Sequence, residues 1–190
     1  MYSLITQNPK IISNMKTIVY YYSHKSSNRY LAHKIATDLQ CTIEEIKPRI
    51  NRHLLMLMGV NAGNTKLAND VEQYDRVILC GPIWMGRLIV PLRNFINQNK
   101  DKVKNIVFVT CCGSSFDRKD EKFGHNKVFN EVKRILGNKV IHCEAFPITL
   151  VLPDELKNAP DAFMKTHLND DNFKGEIVGI YNRFLAKVAF

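Results

Sequence analysis

Acidic residues are in short supply: 18 Asp and Glu stand against 27 Lys and Arg, leaving a formal charge of +9 and a pI near 9.3. Such an excess reads first as a generally basic surface, and more sharply as a match for an anionic partner, whether a phosphorylated cofactor, an acidic protein or nucleic acid. The basic residues are scattered, however. No long run of like charge occurs and no aromatic-interleaved basic patch stands out, which argues against nucleic acid. Cysteine is also sparse. Cys41, Cys80, Cys111, Cys112 and Cys143 are odd in number and lack C-x-x-C spacing or histidines at zinc spacing. They read as buried thiols of a reducing compartment, and the adjacent Cys111-Cys112 as structural rather than redox-active.

Long apolar runs are missing too. No stretch approaches the roughly 18 apolar residues of a membrane span. Residues 1–14 have neither the basic start nor the apolar core of a signal peptide. The expectation is a cytoplasmic protein with an N-terminal extension over residues 1–14 and a single domain over residues 15–190. H-E-x-x-H, G-x-S-x-G and Walker motifs are absent, so neither a metal nor a protein nucleophile is expected.

What is present is an alternation. Lys16–Tyr22, Arg76–Cys80 and Asn105–Thr110 are apolar runs without polar alternation, as expected of parallel strands buried on both faces. Thr42–Ile46 and Val140–Phe146 add two more strands. Between them, Asn28–Leu39, Pro91–Asn97 and Asn126–Leu136 carry apolar residues at helical spacing, with Gly137 as a C-cap, and Glu176–Val188 closes the chain likewise. Leu54, Leu55, Leu57 and Met58 suggest a further short helix. Strands alternating with helices predict an α/β fold: a doubly wound five-stranded parallel sheet in the order 2-1-3-4-5, within three α/β/α layers.

Ligands of such sheets bind beyond the carboxyl ends of the strands, near the point where strand order reverses. The loop after the first strand reads Ser23-His24-Lys25-Ser26-Ser27-Asn28 and enters a helix. Hydroxyls, an amide, a cation and a helix N-terminus suit a phosphate, although a plain Ser/Asn turn and N-cap would use the same residues. Lys25 favours the phosphate, because a cation at a helix N-terminus is unfavourable unless an anion is present. The loop after the third strand, Gly81-Pro82-Ile83-Trp84-Met85-Gly86-Arg87, holds the only tryptophan, placed to cover a planar ligand or to pack on a helix. Thr110-Cys111-Cys112-Gly113-Ser114-Ser115-Phe116 adds backbone N–H groups and another ring. His24 and His125 are candidates for proton transfer, with solvated loop histidines as the plainer reading. Asp117 and Asp120 sit in a charged run that reads as surface.

The run from Tyr74 through Cys80-Gly81-Pro82-Ile83-Trp84-Met85-Gly86, closing on Pro91-Leu92-Arg93-Asn94-Phe95-Ile96, resembles the flavodoxin family, whose members carry "YD-apolar-G-x-PIW-x-G" followed by "P-x-x-x-F". Lys16–Ala32 resembles the family's first strand, phosphate loop and first helix, in register through Arg29-Tyr30-Leu31-Ala32. The resemblance spans Lys16 to Phe146. It implies a flavodoxin-like fold, FMN as cofactor and electron transfer through it. Ser23, His24, Lys25, Ser26, Ser27 and Asn28 would hold the phosphate; Pro82, Ile83, Trp84, Met85 and Gly86 would bracket one side of the ring, and Cys111, Cys112, Gly113 and Ser114 the other. Two departures stand out. The family's phosphate-loop glycine is missing, which removes a residue of wide φ/ψ freedom. Electron-carrier flavodoxins are acidic and this chain is basic, which implies an acidic redox partner protein or a small-molecule electron acceptor. The alternatives are therefore an FMN-dependent NAD(P)H:quinone or nitro-compound reductase, with a homodimer as one arrangement, and a binding module without cofactor.

Overall fold

In the computed structural model, residues 15–50, 52, 55, 58–156, 159 and 161–189 are described. The N-terminal extension over residues 1–14, and Leu54 and Leu57 of the expected short helix, lie outside them. The three apolar runs become β1 (Thr17–Tyr21), β3 (Arg76–Cys80) and β6 (Asn105–Cys112), and the weaker ones β2 (Thr42–Glu45) and β7 (Val140–Pro147). All five pair in parallel, in the order β2-β1-β3-β6-β7. Counting only sheet strands, this is the expected 2-1-3-4-5. A two-residue hairpin, β4 (Ile83–Trp84) with β5 (Arg87–Leu88), is inserted after β3 and was not legible in the sequence.

Successive side chains of a strand point to opposite faces, and here both faces are covered. Ile18, Tyr20, Val77, Leu79, Ile106 and Phe108 pack against α2 (Val90–Asn99) and α3 (His125–Leu136). Their neighbours Val19, Tyr21, Ile78, Cys80, Val107 and Val109 pack against α1 (Ser26–Asp38) and α5 (Glu176–Val188). An uninterrupted apolar strand is what two covered faces require.

The same alternation settles the cysteines. Cys111 belongs to one face and Cys112 to the other, and burial pushes both thiols up, that of Cys112 to about 11. All five cysteines are free. Cys41 and Cys143 are only half-buried, unlike the fully buried thiols expected.

Past β7 the chain does not go straight into α5. It runs as a strap through single 3-10 turns at Ile148–Val151 and Asp154–Leu156 and a short helix, α4 (Ala162–Lys165). Leu168 and Phe173 anchor the strap in the α1–α5 core. Among the described residues no helix is long and apolar enough to cross a membrane.

Candidate functional site

A cleft of about 700 Å³ opens beyond the carboxyl ends of β1, β3 and β6, where the strand order reverses. One wall is the start of α1. Lys25 is its N-cap residue, no side chain caps the helix, and the first turn carries no acid. The free first-turn N–H groups, the helix dipole and the Lys25 ammonium therefore give this end of the cleft a positive field.

The missing phosphate-loop glycine leaves no strain behind. Among the described residues only Gln40 and Met85 combine a side chain with positive φ, so none of Ser23–Asn28 needs the freedom of glycine.

Within this loop the side chains have separate tasks. His24, Lys25, Ser27 and Asn28 line the cleft. Ser23 and Ser26 do not: the Ser23 hydroxyl donates to the Lys25 carbonyl, and Ser26 is exposed. Asn28 is buried, and its amide is fully engaged. Its Nδ2 donates to the Cys111 carbonyl (3.1 Å), and its Oδ1 accepts from the Cys111 N–H (2.8 Å). Since β3 pairs with β6 only as far as Cys80 opposite Val109, the Asn28 side chain supplies Cys111 with the partner that a longer β3 would have given. It fixes the loops relative to each other.

The second wall is the β4–β5 hairpin. Met85 (φ 51) and Gly86 (φ 66) form its two-residue turn, with the positive φ at both positions that a type I′ hairpin requires. A Cβ at Gly86 would also lie 2.6 Å from the Lys122 carbonyl oxygen, so Gly86 lets the hairpin rest on the loop before α3. Pro82, Ile83, Trp84 and Met85 line the cleft, and Gly86 supports them from outside it. The Trp84 ring meets His24 edge to face, with centroids 5.7 Å apart.

Cys111, Cys112, Gly113 and Ser114 also line the cleft. Two further contributions were not foreseen. From the loop before α3 come Arg118, Glu121, Phe123 and Gly124; from the strap come Phe163, Met164, Thr166 and His167. The strap is tied to the start of α1. Lys25 Nζ donates to the Met164 carbonyl (2.6 Å), the Leu168 N–H donates to Ser27 Oγ (3.1 Å), and the Tyr30 hydroxyl donates to Asp170 (2.9 Å). The Phe163 ring sits directly on Gly113, where a Cβ would come within 2.5 Å of it. Phe163 thus adds a large ring to those of Trp84 and Phe123. In sequence only its isolated Phe163-Met164 pair marked it, without periodicity.

His125 corrects the reading of a solvated loop histidine. It is the first residue of α3, only 2% exposed, with its ring against Phe116 and Phe129. Its Nδ1 is 2.9 Å from Ser114 Oγ. Burial, helped by Lys119, holds its proton affinity below the ordinary 6.5. Between the lowered value and 6.5 the unfolded chain binds the proton that the folded chain refuses, so stability rises with pH there and is lost on acidification below 6.5. His125→Gln is expected to flatten that dependence in denaturant midpoints measured against pH; an unchanged slope would place the effect elsewhere. Asp117 is exposed as expected, and Asp120 accepts from the Asn126 side chain (2.8 Å) on the surface.

The model of the flavodoxin domain family matches residues 18–150. No curated protein matches the chain. A flavoprotein of Lactobacillus acidophilus NCFM, solved in complex with FMN, superimposes with a TM-score of 0.56 at 18% identity, over 69% of this chain and 93% of its own. A protein of Bacteroides eggerthii DSM 20697 assigned as a flavoprotein gives 0.62 at 15% identity, over 93% of this chain and 99% of its own. At these identities the likeness is one of fold.

Proposed function

This chain belongs to the flavodoxin domain family, and from that premise we propose that it is an FMN-binding redox protein that transfers electrons through the bound flavin. One observation carries the reading: a single cleft is lined both by an uncapped, cationic helix start and by the rings of Trp84 and Phe163. Anions gather at free helix N-termini, and planar rings are held by aromatic walls. In this reading Lys25 and the first-turn N–H groups hold the phosphate. Trp84, Phe163, Met85 and the Cys111–Ser114 backbone enclose the ring and keep water from it. Bound flavin supplies the electron chemistry, while the protein sets its placement and potential. Residues 15–190 act as one domain, and the free thiols suit a cytoplasmic setting.

Lys25 tests the phosphate end. A hydrogen bond to a charged group contributes about 1.5–3 kcal/mol, so Lys25→Met is expected to weaken FMN binding roughly tenfold to a hundredfold, and less at high salt. Quenching of FMN fluorescence on titration with protein reads this directly. Unchanged affinity would remove Lys25 from the site, and no quenching by the wild-type chain would overturn the redox reading in favour of a binding module.

A second reading, reduction of a small apolar acceptor such as a quinone or nitro compound with NAD(P)H, draws on the cleft's rim. Met85, Phe123, Phe163 and Met164 line it and are exposed, on a chain of charge +9. Fast reduction of the flavin by NAD(P)H alone would favour this reading; dependence on a reductase protein would favour the carrier.

A further inference from the structure

Ser114, Cys112 and His125 form a cluster, with Cys112 and His125 buried, that meets the cleft through Cys112 and Ser114. The Ser114 hydroxyl is 2.9 Å from His125 Nδ1 and 3.5 Å from Cys112 Sγ, and the thiol lies 3.8 Å from the same Nδ1. Cys112 is no nucleophile here, since burial raises its thiol to about 11 and leaves it protonated. His125 is locked by Phe116 edge-on (5.9 Å) and Phe129 (5.4 Å) and cannot turn away. Besides Cys112 at the end of β6 and Ser114 in the loop after it, the charged groups acting on it are Lys119 and Asp120 from the loop before α3 and Glu144 from β7.

A neutral imidazole carries one N–H, and a serine hydroxyl one proton and two lone pairs. The pair therefore has two arrangements of equal heavy-atom geometry. With the proton on Nδ1, His125 donates to Ser114 and the hydroxyl is free to donate into the cleft. With the proton on Nε2, Ser114 donates to Nδ1 and presents a lone pair instead. A backbone amide can do only the first.

We propose that Ser114 and His125 act as one reversible proton-handling unit toward the redox group held in the cleft, Ser114 touching that group and His125 positioning the hydroxyl and supplying its proton. The proposal rests on the redox reading of the cleft. When an electron donor delivers two electrons, Ser114 Oγ gives its proton to the reduced group. Oγ takes the proton from His125 Nδ1, and the ring takes one from water at Nε2. One proton enters, no bond between heavy atoms forms or breaks, and His125 ends neutral in its other tautomer. Oxidation by an acceptor runs the sequence backwards.

The test uses the FMN-loaded chain with Ser114→Ala, His125→Gln and the double variant; glutamine keeps a hydrogen-bonding group but cannot exchange tautomers. FMN affinity is measured first by fluorescence quenching. Stopped-flow reoxidation of the reduced protein by a benzoquinone then follows, over a range of pH, in H₂O and D₂O. General acid–base assistance contributes about a hundredfold or more, so each single variant is expected to slow reoxidation by about that factor and lose the solvent isotope effect. Because the residues act as a unit, the double variant should be no slower than the singles. Nitrogen-15 NMR of the His125 ring should show a neutral imidazole at neutral pH whose tautomer balance shifts in Ser114→Ala. FMN that binds normally while the rates and isotope effects of the singles stay at wild-type values, or losses that multiply in the double variant, would overturn the relay. Failure of the wild-type chain to bind FMN would instead overturn the redox reading beneath it.

Discussion

Gly124→Ala is expected to destabilise the fold by about 3 kcal/mol, through a collision rather than a conformational restriction. Gly124 has φ −69, which any residue adopts. A Cβ there, however, would lie 2.6 Å from the Arg118 carbonyl oxygen and closer still to the carbonyl of Lys119. Both are backbone atoms, so no side chain can swing away. The Lys119 carbonyl also accepts from the Asn126 N–H (3.0 Å), and so serves as the N-terminal cap that α3 lacks from a side chain. Moving that carbonyl breaks the cap, worth about 1 kcal/mol, and the rest is steric. At roughly 2–4 °C per kcal/mol for a chain of this size, thermal unfolding should drop by about 6–12 °C. Gly179→Ala is the control. Gly179 lies inside α5, its Cβ would meet only the flexible end of Arg183 at 3.5 Å, and alanine there should stabilise by about 0.5–1 kcal/mol. Equal melting temperatures for the two variants would refute the collision. Since Gly124 also lines the cleft beside His125, FMN affinity should fall with stability in the first variant only.

Asn28→Ala is expected to cost about 2–6 kcal/mol, because it leaves two buried groups, the N–H and C=O of Cys111, without partners at roughly 1–3 kcal/mol each. Asn28 is 5% exposed and Cys111 7%, so water does not readily replace the lost bonds. Asn28→Asp separates the two halves of the effect. It keeps an acceptor for the Cys111 N–H but faces the Cys111 carbonyl with an oxygen instead of a donor, so it should not recover wild-type stability. Urea unfolding midpoints measure both variants. If Asn28→Ala unfolds at the wild-type midpoint, the amide pair is not the clamp described above. Looser packing between the first and third cleft loops should also weaken FMN binding without any change in charge.

Several features of the site were readable because they depend on local chemistry. The Trp84 loop stood out through its Gly and Pro neighbours, the α1 entry through its hydroxyls and Lys25, and the Cys111–Ser114 loop through its place after a buried strand. What each residue does there was less legible. Asn28, expected to hold a phosphate, spends its amide on Cys111. Ser23 and Ser26 stand outside the cleft, and Gly86 supports the hairpin rather than lining it. His125 reads in sequence as a solvated loop histidine; its burial comes from Phe116 and Phe129, which no local pattern ties to it. The strap could not be foreseen, as a segment with two isolated 3-10 turns and a four-residue helix has no periodicity to read.

The sequence by itself determined the sheet. Strands covered on both faces must be apolar at every position, and that pattern survives without knowledge of any neighbour. It also determined which strand ends carry the loops Ser23–Asn28 and Gly81–Arg87. Tertiary structure alone decided how those loops are finished: the Asn28 clamp spans 83 residues of chain and the Lys25–Met164 tie 139. Contacts of that separation leave no local pattern, because each partner's own neighbours are indifferent to it. The missing glycine leaves no strain behind for the same reason: the backbone that surrounds the loop holds it in ordinary φ/ψ.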